Sequence, residues 1–224
     1  VAAVANGGDP ASVTWMPELE GTNFVTVQAV DRAGLASTIA TCIFAVARQA
    51  AVGVWGLGET ADTAEAADDR NAHPATRATG ATFGVPGPGC QDRGPSCQVD
   101  RAVRLTGAGD SYLSTASAGL VNTATGFSVA AWVRLTDTTR DHVAVSQDGS
   151  GEPGFTLGFD AGTGKWVFGT PVSDVDTLGK WAVTSTAAVL VGEWTHLAGV
   201  FDPVRKTLAL YVNGQAQPVA QRRS

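Results

Sequence analysis

The sequence predicts an all-β protein built as an antiparallel β-sandwich, and three observations predict it. Beyond Ala102 apolar residues alternate with polar ones in run after run. Turn signals separate those runs at regular intervals, and no stretch between them repeats with a helical period. Composition agrees: charged residues are only 16% of the 224 and glycines number 27, while Ala, Thr and Val stand where a helical protein carries Glu, Lys and Leu. A sandwich of about 170 residues buries roughly 70% of its unfolded surface, so size is no obstacle to a core.

Taken in order, Phe24 to Ala29 alternate, the turn-like DRAG follows, and Ile39 to Val46 is apolar enough for a second strand. Two strands do not stand alone. Ala45 to Ala51 reads as a linker, and Val52, Val54 and Trp55 open a strand ending near Glu59. Thr60 to Arg77 is Ala, Asp and Thr with no apolar stripe, which predicts a long decorated loop of the kind that carries binding residues. From Ala102 the strands are AVRLTG, SYLST, FSVAAWVRL, HVAVSQ, GFTLGF, KWVFGT, WAVTST, WTHLAGVF and LALYVNG, divided by GAGD, QDGSGEPG, DAGTGK and DPVRK. Within FSVAAWVRL, Phe127, Val129, Ala131, Val133 and Leu135 share one face, and Ser128, Trp132 and Arg134 share the other; the first set belongs in the core. Asn213-Gly214 closes the last run with the residue pair that accepts the positive φ angles of a tight hairpin.

The net charge is −6, and no basic stripe interleaved with aromatics occurs, so a nucleic-acid backbone is excluded as a partner. No apolar run reaches the 18 or so residues of a membrane span, which argues against membrane insertion, and nothing at the start has the form of a secretion signal. Val1 is no initiator residue, and the chain is expected to be an excerpt of a longer polypeptide. Cys90 and Cys97 flank QDRGPS in a Gly/Pro-rich loop, a spacing that permits a disulfide and with it an oxidising compartment; two free loop thiols are the other reading. Cys42, in an apolar run, reads as a small buried residue.

The passages LTGAGDSYLST, TGFSVAAWVRL, AVSQDGSGEPGFTLGF, KWVFG and GEWTHLAGVFDPVRKTLALYVNG stand in the order and spacing of a known family. Over about residues 52 to 219 the chain resembles the laminin-G-like, concanavalin A-like jelly-roll domains of secreted bacterial proteins. GTNFVTVQAVDRAG resembles the closing hairpin of a bacterial immunoglobulin-like or fibronectin-like module. Together these imply two domains: 1–49, the C-terminal strands of a truncated immunoglobulin-like module, and 50–224, the jelly roll. Members of the family continue past the YVNG hairpin to a final G-x-I-D-D-V strand, whereas this chain stops at AQRRS, so the resemblance implies a C-terminally incomplete jelly roll with unpaired edges. It also implies a non-catalytic module, extracellular or on the cell surface, that binds a glycan or an extracellular protein alongside the rest of its parent polypeptide. A structural spacer, or a jelly-roll glycoside hydrolase, are the alternatives.

Among candidate site residues, Trp132, Trp166, Trp181, Trp194 and Tyr211 are many aromatics for a small sandwich, and an exposed aromatic platform holds sugar rings. Trp181, beside Lys180 near polar turns, Trp166 and Asp148 are the nominated ligand-binding residues. Many jelly rolls of this kind hold one calcium. Asp62, Asp68, Asp69 and Asn71 in one loop, or Asp148 with nearby carbonyls, offer oxygens for it, Asp62 and Asp68 being the nominees against solvated loop acids. Hydrolysis needs two carboxylates about 5.5 Å apart for retention, which such glucanases place as Glu-x-Asp-x-Glu. Asp174-Val175-Asp176 is the nearest approach and lacks the third acid; Glu18 and Glu20 have the spacing but lie in the N-terminal piece. Ser111 in GDSY has no downstream base and reads as a turn residue. His196 and Asp202 would lie roughly 20 Å apart along a strand, which predicts a half-buried His and not a catalytic pair.

Overall fold

The computed structural model describes residues 21–31, 33–46, 51–90, 100–116, 119–149, 153–171 and 180–221. The chain divides into two compact units, Val1–Ala51 and Val52–Ser224. In the first, β1 (Gly21–Val27) and β2 (Ala40–Val46) form an antiparallel hairpin in which Phe24 faces Ile43 and Val25 faces Cys42. Cys42 is exposed there, not buried as its apolar run suggests, because among the described residues the two-stranded ribbon has no second layer over it.

The second unit contains β3 (Glu65–Ala66), β4 (Ala75–Arg77), β5 (Ala81–Pro86), β6 (Arg101–Leu105), β7 (Leu113–Thr115), β8 (Phe127–Val133), β9 (His142–Gln147) and β10 (Phe155–Asp160). It continues through β11 (Lys165–Pro171), β12 (Lys180–Thr184), β13 (Thr195–Asp202), β14 (Thr207–Val212), β15 (Gln215–Ala216) and β16 (Ala220–Gln221). All pairings are antiparallel, and the described residues contain no α-helix, hence none long and apolar enough to cross a membrane. The fold is an antiparallel β-sandwich of jelly-roll type.

Two sheets make the sandwich. One has the order β12-β11-β10-β9; the other has β15-β14-β13-β8, with β16 also on β14. Alternation dictates their contact. Phe155, Leu157 and Phe159 from β10, Trp166 and Phe168 from β11, and Leu197, Leu208 and Leu210 from the opposite sheet are buried in one cluster. Each such side chain contributes about 1.5–3 kcal/mol of burial. Phe127, Val129 and Val133 pack against that cluster, and Ser128, Trp132 and Arg134 are exposed, so the two faces of this strand lie as its alternation predicts. Gly158 sits at a register shift between β10 and β9, where an added Cβ would collide with the His142 carbonyl oxygen; only glycine allows that close approach. The Asn213-Gly214 turn has φ of 49° and 77°, and the chain returns along β14 as β15 and β16. The edge of β14 is therefore covered over these residues. Pro218 sits between the two short strands, where it withholds no ladder donor.

Residues 52–115 depart further from expectation. Val52 to Glu59 forms no strand; Trp55 makes one isolated bridge to Asp68. The stretch read as a loop contains β3 and β4, which join β7, within the run SYLST, in a three-stranded sheet; β6 lies in the run AVRLTG as alternation predicts, and its partner β5 is the strand that alternation did not reveal. Their buried residues Ala66, Ala75 and Phe83, with Trp55, Leu57, Val103 and Leu113 against them, form a second, smaller core.

Candidate functional site

The outer face of β8, β13 and β14 is where the structure assembles exposed aromatic surface. Cross-strand register places Trp132 opposite His196, and in the next row Ala130 opposite Ala198 and Ala198 opposite Tyr211. Trp132 is 54% exposed, and its ring centroid lies 5.3 Å from that of His196 at 59°. Two alanines, Ala130 and Ala198, therefore form a floor beside an open indole face. Such a surface suits the apolar face of a sugar ring, because CH groups can lie on the π-system while ring hydroxyls point outward.

The backbone under this row is held firmly. Asn213 accepts the His196 amide on its side-chain Oδ1 at 2.8 Å and donates its own amide to the His196 carbonyl at 2.8 Å. Just past β8, the Arg134 guanidinium carbon lies 5.2 Å from the Trp194 ring centroid. A platform built on strands is more rigid than one built on a loop.

The nominated residues are not brought together. Trp166 is 4% exposed, in the core between Phe159 and Phe168 on one strand face, so it offers no platform. Trp181 is half-buried, packed against the same core with its ring edge-on to Phe201 at 6.1 Å. Asp148 is exposed just past β9, and β9 and β12 are opposite edges of the four-stranded sheet, three strand spacings or roughly 14 Å apart. Trp132 was nonetheless legible: alternation already puts it on the polar side of its strand, whereas Trp166 shares parity with Phe168.

Asp68 has a different task from the one its position in an acidic loop suggests. It is 3% exposed, and its Oδ1 accepts the amides of Val54 at 2.8 Å and Arg70 at 3.1 Å, while Oδ2 accepts those of His73 at 3.0 Å and Ala72 at 3.3 Å. The Val54 amide is the leading cause that holds its pKa down to about 2, against the cost of desolvation. Four N–H donors occupy the lone pairs a calcium ion would need, and Asp62 is exposed. Among the described residues no group of three or more His, Cys, Asp or Glu converges as a metal site. Asp68, with its oxygens so engaged, does not fit a calcium ligand. An open cleft of about 550 Å³ beside this loop is lined by Glu65, Asp68, Asn71 and Thr76 and contains no aromatic side chain.

The remaining candidates resolve into structural roles or fall outside the described residues. Ser111 is buried, donating to the Gly80 carbonyl at 2.8 Å and accepting the Thr106 amide at 2.7 Å, which makes it the clasp of a turn. Asp137 and Asp202, like Asp68, are held below the ordinary carboxylate range. The leading causes are the backbone amides of Thr139 and Arg205 respectively. A general acid requires the opposite shift. Asp174, Asp176, Glu18, Glu20 and Cys97 lie outside the described residues.

A protein-family model of the laminin-G type, described as the concanavalin A-like lectin/glucanases superfamily, matches residues 107–223, just over half of the chain. The chain belongs to the concanavalin A-like lectin/glucanase superfamily. No curated protein matches it. Membership places the chain among carbohydrate- or protein-binding modules. Within this concanavalin A-like domain, the matched region includes Trp132, Arg134, His196 and Tyr211 and excludes Asp62 and Asp68.

Proposed function

We propose that this chain is a non-catalytic recognition module, working outside the cell or on its surface, that holds a glycan on the Trp132 face. The observation that carries this reading is an indole 54% exposed on an interior position of a strand, next to a floor of alanines. An exposed Trp there contributes nothing to the core, and its hydrophobic area is stabilised only when a flat apolar partner covers it.

The test is a glycan array probed with the whole chain, followed by affinity electrophoresis on the best polysaccharide. Trp132→Ala is expected to weaken binding by about tenfold or more, as loss of a central aromatic anchor does. Its melting temperature should change little, because exposed positions have small effects on stability. A chain that binds no glycan would support a structural spacer in a larger protein instead.

Location outside the cytoplasm rests on cysteine chemistry. Cys90 is buried in the short 3₁₀ turn Pro88–Cys90, and the free cysteine among the described residues is Cys42. A Cys90–Cys97 disulfide is proposed, which an oxidising compartment would maintain. Thiol titration of the unreduced, denatured chain is expected to find one reactive thiol from three cysteines. Three reactive thiols in protein purified from its native compartment would remove this support for export.

A further inference from the structure

Resting on the saccharide reading above, we infer that the Trp132 face takes an acidic sugar, a hexuronate unit whose carboxylate is bound by Arg134. The chain as a whole carries a net charge of −6, which would repel such a ligand, yet this face presents the Arg134 guanidinium. Arg134 is exposed, and among the described residues its partner is the Trp194 ring and no carboxylate. A guanidinium laid over an aromatic ring is held by its face and keeps N–H donors at its rim for an anion. His196 adds imidazole nitrogens on the neighbouring strand, in contact with the same indole.

Within β8, β13 and β14 the acidic side chain is Asp202, while Glu193 stands exposed beside Trp194 just before β13. By strand alternation the carboxylate on this face of β13 is Asp202, about 20 Å from His196 along the strand, and Arg205 engages it at 2.9 Å. Trp132 and Arg134 stand two residues apart on one face, a step of about 7 Å. A pyranose stacked on the indole reaches that far through its exocyclic carboxylate and one hydrogen bond. The guanidinium fork matches a planar carboxylate with two parallel bonds, and a neutral hydroxymethyl group in the same place offers no charge to pair. A sugar ring with a carboxylate thus satisfies both neighbours at once, which a neutral ring does not.

The test compares short oligogalacturonates with their methyl esters, which keep the same rings and remove the charge, titrated into the whole chain at low and high salt, with laminarin as an unrelated neutral glycan. The acid is expected to bind about tenfold or more tightly than the ester. Added salt should narrow that margin. Arg134→Gln should lower acid binding to the level of the ester. Trp132→Ala should remove binding of both, and Ala130→Glu, which fills the exposed floor without touching the core, should do the same if the alanine variant folds poorly. Ester bound as tightly as acid, with both lost in Trp132→Ala, would overturn the uronate assignment and leave the glycan reading standing. A preference for the acid that survives Arg134→Gln would also overturn it, since the charge would then be read elsewhere. Absence of binding to acid, ester and laminarin alike would remove the glycan reading and this inference with it.

Discussion

A Gly199→Ala chain is expected to melt roughly 6–12 °C below the wild type, a loss of about 3 kcal/mol, at the upper end of overpacking effects. Gly199 sits in the middle of β13, paired with Leu210 on one side and Val129 on the other. A Cβ at this position would intrude on the Phe168 ring, with Cε2 at 2.7 Å and Cγ and Cδ2 closer still. Phe168 cannot retreat: it is 0% exposed, and Phe127 meets its ring edge-on at 6.2 Å. Glycine weakens an interior strand position, so its presence here marks the close approach of the two sheets. Thermal melts and urea titrations of Gly199→Ala, Phe168→Ala and the double variant check the cause. Removing the whole ring, Cγ and Cδ2 included, should make the double variant less destabilised than the two single losses added together, with a coupling of about 1 kcal/mol or more. Strict additivity would show that the contact is not what destabilises.

The second large effect is expected at Asp68. Asp68→Ala should lower the melting temperature of the second unit by roughly 5–10 °C, since four amides drawn from Val54, Arg70, Ala72 and His73 lose their acceptor together. Asp68→Asn should fall between, because the carboxamide keeps one oxygen and turns an N–H toward donors. The dependence on pH follows from the direction of the shift. The folded carboxyl sits at about 2, below its ordinary 3.8, so folding favours the ionised form. Its contribution is whole above the unfolded value, declines as pH falls from about 4 to about 2, and is absent below that. Melts of the wild type and Asp68→Asn across this interval should converge as the medium becomes more acid, and the protection of the Val54 and Ala72 amides relative to their intrinsic exchange rates should fall in parallel. A gap between the two proteins that stays constant from pH 5 to about 2 would show that the ionised carboxylate is not the stabilising species.

What could be read from residues alone differs between the two halves of the second unit. From Phe127 to Val212 the strands are long and closed by clear turns, and the large buried side chains follow parity: Phe155, Leu157 and Phe159 inward, Thr156 and Asp160 less so. Upstream the local signals mislead. ATFGVP contains Gly84, at φ 81°, and Pro86, both breakers, yet it forms β5 because β6 supplies a partner across a bulge. Val52 to Glu59 alternates without forming a ladder, since the amide of Val54 is taken by the Asp68 side chain and its carbonyl by the Asp69 amide. In the site, parity alone separates exposed Trp132 from buried Trp166. The proximity of Trp181 to polar turns was a poorer guide, because burial is set by which strand face a residue occupies and not by the polarity of its sequence neighbours.

The sequence by itself determined that this chain is a sandwich and which side of each long strand meets the core, because period-two alternation is a local property written residue by residue. Only the tertiary structure decided which outward residues become neighbours. The register of β8 on β13 sets Trp132 against His196 from segments more than sixty positions apart, and that of β13 on β14 sets the alanine row against Tyr211. Likewise it gathers the amides that saturate Asp68 from both sides of a loop. Alternation assigns a face but carries no information about the partner across the ladder; that pairing is fixed by long-range packing of the buried side chains, in which a slip of one residue would turn Leu197 and Phe127 away from the core.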